Sequence, residues 1–106
     1  GHVDRDIWTG IWIRDFNKRS AGYFGYTGEG GVIIVEIDPG SPAENAGLRK
    51  NDILININGR QVKDSRYVKK IIMDTDIKVG DLMTLEVFRN SRILEVRMKA
   101  AARLDK

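Results

Sequence analysis

The sequence alternates in places and runs apolar in others, and the two patterns predict different elements. "IWIRDF" (11–16) places Ile11 and Ile13 on one face and Trp12, Arg14 and Phe16 on the other, the period of a half-buried strand. "VIIVEI" (32–37) is a β-branched apolar run, the pattern of a strand buried on both faces. "DILININGRQV" (52–62) reads as a strand, an Asn58-Gly59 turn and a short return strand. "LMTLEVFR" and "RILEVRMK" flank Asn90-Ser91 and read as a second hairpin.

Helices are few and short. "NKRSAGYF" (17–24) can form one, with Asn17 as N-cap and Gly25 just past its end. In "DPGSPAENAGL" (38–48), Ser41 can cap a very short helix with Pro42 at its first position. Glu44 three residues after the cap completes a capping box, and Gly47 ends the helix. "SRYVKKIIM" (65–73) is amphipathic, with Val68 and Ile72 as its inner stripe. Strands therefore dominate, with two or three short helices. The expected class is α+β, mainly β: a partly open antiparallel sheet or barrel of five to six strands.

Composition narrows the function. The chain has 106 residues, 42% hydrophobic, enough for one domain and one core. Its +3 net charge comes from interspersed signs rather than a basic block, which reads as a mixed solvated surface and not a nucleic-acid footprint. Cysteine is absent, so thiolate chemistry and cysteine-bound metal are excluded. The single histidine, His2, falls in the opening residues, where no ordered triad is expected. Neither metal nor cofactor is expected. Gly1-His2 reads as a tag remnant, and the chain as a piece of a longer one. Residues 1–7 are read as a lead-in, 8–99 as the domain and 100–106 as a tail or linker.

Resemblance to a known family becomes specific at "GGVIIVEIDPGSPAENAGLRKNDILININGRQV". "GSPAENAGL" followed by "NDILININGRQV" resembles the PDZ domain, in the form found in HtrA/Deg-type trypsin-like serine proteases of bacteria. Asn51 stands where that family usually has glycine before the aspartate, and asparagine is tolerant of left-handed backbone. "AGYFGY" looks like the family's short helix ending in Leu-Gly-Leu, with Phe24-Gly25-Tyr26 in its place, and "VGD…TLEVFRN" looks like its last hairpin. "WTGI" (8–11) is similar to its aromatic-x-Gly-apolar carboxylate-binding loop. "YFGY" (23–26) has the same shape, but only Thr27 to Gly30 separate it from the next strand, and a peptide-pairing strand of about five residues would not fit.

The resemblance implies a non-catalytic module that captures free C termini or extended apolar segments by strand addition. Thr9, Gly10 and Ile11 would supply backbone donors to a carboxylate. A glycine between the two tryptophans is then read as the residue that lets backbone approach an anion. Ile11, Trp12, Ile13, Ser65, Lys69 and Ile72 are the candidate groove. Trp8 reads either as a packing anchor or as a rim of the loop. Trp12 is expected to pack on the 17–24 segment, and Lys69 reads either as a solvated residue or as a groove wall. Replacing Gly10 with valine is expected to close the loop and leave the fold intact.

Implied partners are C-terminal or extended peptides of misfolded or substrate proteins and the protease domain of the parent chain. The parent can be oligomeric, and the implied setting is the bacterial periplasm or cell envelope. The same fold occurs in carboxyl-terminal processing proteases, membrane-embedded metalloproteases and secretion components, which stand as the alternative parents. A small enzyme or nucleic-acid binder would need a polar constellation or basic stripe.

Overall fold

In the computed structural model, residues 7–15 and 17–102 are described. His2 and Phe16, both weighed from the sequence, lie outside them. The chain runs β1 (Ile7–Trp8), β2 (Ile11–Arg14), α1 (Lys18–Tyr23), β3 (Val32–Ile37), α2 (Pro42–Ala46), β4 (Ile53–Ile57), β5 (Arg60–Gln61), α3 (Ser65–Asp74), β6 (Leu82–Arg89), β7 (Arg92–Lys99) and β8 (Ala101–Ala102). Six strands form one antiparallel sheet, ordered β2-β3-β4-β6-β7 with β5 on β4. The expected class and most expected bounds agree with this.

Local chemistry explains the boundaries. Asn58 and Gly59 between β4 and β5, and Asn90 and Ser91 between β6 and β7, all have positive φ. Two consecutive positive-φ residues are what a tight hairpin turn requires, because its twist then matches the strands. Asn51 has φ 77°. Ser41 Oγ accepts the Glu44 N–H at 3.2 Å, and Gly47 closes α2 with φ 93°. The reciprocal half of the expected capping box is displaced by one residue. Glu44 Oε1 accepts from Gly40 N at 2.7 Å, because Ser41 N already donates to Asp38 O.

The core lies between the sheet and the helices. Val32, Ile34, Leu54, Ile57, Val62, Ile71, Leu85, Val87 and Met98 are buried there. Asp52 is 1% exposed, and Arg89 holds it through two charge-assisted bonds, Nε–Oδ1 at 2.7 Å and Nη2–Oδ2 at 2.6 Å. The Asp52 hydrogen bond also raises the Arg89 pKa, so the guanidinium stays charged. Such pairing is what permits a carboxylate in a core. Of the aromatic cluster near α1, Tyr26 is buried against Phe88, with ring centroids 5.2 Å apart, while Tyr23 is exposed.

The structure adds to two sequence readings. On α3 the fully buried residue is Ile71, with Val68 and Ile72 half-buried one step round the helix. Residues read as lead-in and tail are paired: Ile7 with Ala102 and Trp8 with Ala101. Ile7 and Ala100 belong to the core.

Candidate functional site

One cleft joins the edge of the sheet to α3. β2 pairs with β3 on one side, and it ends the strand order. Asp38 N donates to Gly10 O at 2.9 Å, which sets the phase of that pairing. By the antiparallel alternation, the Ile11 and Ile13 N–H groups then face the open edge. An edge strand with outward donors and acceptors is a template for another strand.

Ile11, Ile13 and Thr9 form one wall of the cleft, and Ser65, Val68, Lys69 and Ile72 the other. Leu54, Ile57, Met83, Leu85 and Met98 reach its floor. Its volume is about 200 Å³, enough to take an aliphatic side chain. The lining is mostly apolar, with Lys69 and Ser65 on the helix rim. The structure thus brings Thr9, Ile11, Ile13, Ser65, Lys69 and Ile72 together.

At its closed end the cleft meets the Thr9–Ile11 turn. Gly10 is buried with φ +81°, a conformation that side chains other than glycine's rarely adopt. Thr9 O accepts from Ala43 N at 3.0 Å, and Gly10 O accepts from Asp38 N. Both peptides are trans. In a trans peptide the N–H points opposite to the C=O. With the two carbonyls turned into the body of the domain, the Gly10 and Ile11 N–H groups point away from it. Ile11 N also sits 3.3 Å from Thr9 Oγ1, a long contact that an incoming acceptor could replace. Convergent backbone N–H groups of this kind make an anion nest.

Trp12 lies elsewhere. It is 57% exposed and is not among the residues that line the cleft. Its Nε1 donates to Asp38 Oδ1 at 2.8 Å, while Trp8 Nε1 donates to Asp38 Oδ2 at 3.1 Å. The two indoles on either side of Gly10 therefore share one carboxylate. A Cβ on Gly10 would overlap Cβ and Oγ of Ser41, the cap of α2. The glycine is set by that close approach as well as by the turn, which overturns the expectation that valine here would spare the fold.

Sequence reasoning missed three participants. Asp38 was read only as a turn residue. Val68 was read as core. Asp15 was not singled out, yet its carboxylate accepts from Ser65 N at 2.7 Å and from Ser65 Oγ at 3.1 Å, tying the end of β2 to the start of α3. Spacing offers no signal for a contact between residues fifty apart.

Comparison with known proteins is consistent along the chain. The PDZ domain family matches residues 10–100. The serine protease Do-like HtrB of Bacillus subtilis (strain 168) is 34% identical over 99 residues, covering 87% of this chain and 21% of that protein. A probable periplasmic serine endoprotease, DegP-like, of Rickettsia prowazekii (strain Madrid E) is 30% identical over 93 residues, covering 88% of this chain and 18% of that protein. The chain thus spans about a fifth of the length of these relatives. Among solved structures, the HtrA3 PDZ domain bound to a phage-derived ligand (FGRWV) aligns with a TM-score of 0.71 at 22% identity. That alignment covers 89% of this chain and 84% of the other, and at such identity the likeness is one of fold. Since the family match takes in every element from β2 to β7, this chain belongs to the PDZ domain family.

Proposed function

We propose that this domain binds short extended peptides by adding them as a strand to β2, between β2 and α3. The observation that carries the reading is the outward pair of amides at Gly10 and Ile11, placed at the end of an apolar cleft beside an open strand edge. A peptide's terminal carboxylate sits on the Thr9–Ile11 turn, and its last side chain enters the cleft against Ile11, Ile13 and Ile72. The phage-derived ligand of the HtrA3 domain ends in valine, an aliphatic residue of the size the cleft admits.

Relatives named as serine proteases support a further step. The domain serves as a substrate-recognition or regulatory part of an HtrA-like protease of the periplasm or cell envelope, and does not itself cut peptides. Its partners are then the tails or extended segments of substrate or misfolded proteins, and the protease domain of the parent chain.

The test is a titration with a peptide ending in valine, as free acid and as amide, followed by amide NMR shifts. Affinity should be micromolar, since one strand and one pocket offer little beyond the cost of ordering the peptide. Shifts should centre on residues 9–13 and 68–72. Amidation should cost roughly 1.5–3 kcal/mol, because charge-assisted bonds are the stronger kind. Shifts mapping to another face would overturn the site.

A further inference from the structure

The turn that meets the cleft has little local support. β1 has two residues, and β2 is an edge strand of four. A turn that aims several N–H dipoles at one point repels itself until an anion arrives. Ala43 N on Thr9 O and Ser41 against Gly10 hold its inner side, and the two tryptophan flanks need a hold of their own.

Asp38 touches the turn on every side. It follows β3, at the start of the connection to α2. Its backbone N–H holds Gly10 O, and its backbone carbonyl accepts from Ser41 N at 3.3 Å. Its side chain takes the indole N–H of Trp8, just before the turn, and of Trp12, just after it. Trp12 is more than half exposed, so burial does not account for its position. Among the described residues that line the hollow round the turn, Asp38 is the only ionisable one.

We propose that Asp38 is the positioning residue of the carboxylate-binding turn: its two-indole latch presets the Gly10 and Ile11 N–H groups for a peptide's terminal carboxylate. The proposal rests on the peptide reading of the cleft. Preorganisation of this kind raises affinity by removing an ordering cost from the binding step. The latch acts on the terminal carboxylate and not on the strand addition further along β2. Losing it should therefore reduce the preference for a free acid over an amide more than it reduces amide binding.

Charge makes this test sharper. Removing Asp38 also removes a negative charge beside the turn, which by itself would favour an anionic terminus. The latch and the charge act in opposite directions, so a fall in free-acid preference isolates the latch. General loss of fold would weaken both peptides alike.

The experiment titrates the valine-ending peptide, as free acid and as amide, into the wild-type domain, Asp38→Ala and the double variant Trp8→Phe/Trp12→Phe. The wild type should favour the free acid about tenfold or more. In Asp38→Ala the ratio should fall to about threefold or less, as the donors lose their fixed geometry. The double variant keeps the Asp38 charge and both aromatic rings but has no indole donors, and its ratio should fall likewise. Trp12→Phe alone, at an exposed position, should give a partial fall even where the other variants fold poorly. A wild-type ratio retained in Trp8→Phe/Trp12→Phe, which keeps the Asp38 charge and loses only the indole donors, overturns the proposal while leaving the groove intact. If the wild type binds neither peptide at residues 9–13, the reading of the groove fails and the latch falls with it.

Discussion

Gly10 shows how many constraints one residue can meet. Its backbone is left-handed, its missing side chain makes room for Ser41, and its carbonyl is held by Asp38. Alanine or valine would meet all three at once. A β-carbon at positive φ costs roughly 1–2 kcal/mol in backbone strain alone. The overlap with Ser41 then forces either the turn or the α2 cap to shift, and a lost cap costs about 1 kcal/mol more. Gly10→Val should therefore lower unfolding stability by about 2–4 kcal/mol, within the range of core overpacking. Chemical denaturation measures it. A variant as stable as the wild type would mean that Ser41 and the turn can part without cost.

At the scale of elements, the cleft exists because β2 and α3 are held side by side without being paired. Asp64 caps α3 through Tyr67 N at 2.9 Å, which fixes where the helix begins. Asp15 then binds the same helix end to the strand, through Ser65 N and Oγ. Both bonds are exposed, so their net worth is modest. Asp15→Ala should cost about 1 kcal/mol of stability, the net value of a typical hydrogen bond to a charged group at a wet site. It should also speed hydrogen exchange in the first turn of α3. Exchange unchanged at residues 65–68 would show that Asp64 alone anchors that end.

On the scale of the whole molecule, the chain closes on itself. β1 and β8 pair next to the Thr9–Ile11 turn, and Ala100 joins β7 to that small sheet while buried in the core. Ala100 N donates to Asp81 O at 2.9 Å, and Gly80 N donates to Ala100 O at 2.8 Å. Truncation after Lys99 removes both bonds and the cover over Ile7. The two hydrogen bonds alone are worth about 2 kcal/mol, and the lost β1–β8 pairing and Ala100 burial make the expected loss larger than that. Thermal unfolding of the truncated chain checks it. An unchanged midpoint would return residues 100–102 to the role of a linker.

Much of this protein was legible in its residues taken in order. Alternation, β-branched runs, the Ser41-Pro42-Glu44 cap and the Asn-Gly and Asn-Ser turns predicted β3, α2, the β4–β5 turn and the last hairpin, because each depends on neighbours within a few positions. Ile11, Ile13 and Ile72 line the cleft, but it was the family resemblance, not their periodicity, that implied them as its walls. Tertiary structure decided the rest, through contacts between residues far apart in sequence. It placed Asp38 between two indoles, Asp15 on the start of α3, Arg89 on a buried Asp52, and Ile7 beside Ala102. A carboxylate looks the same in sequence whether it meets water, an indole or a helix end. Only the folded chain determines which of these it meets, and so which aspartate holds the turn in place.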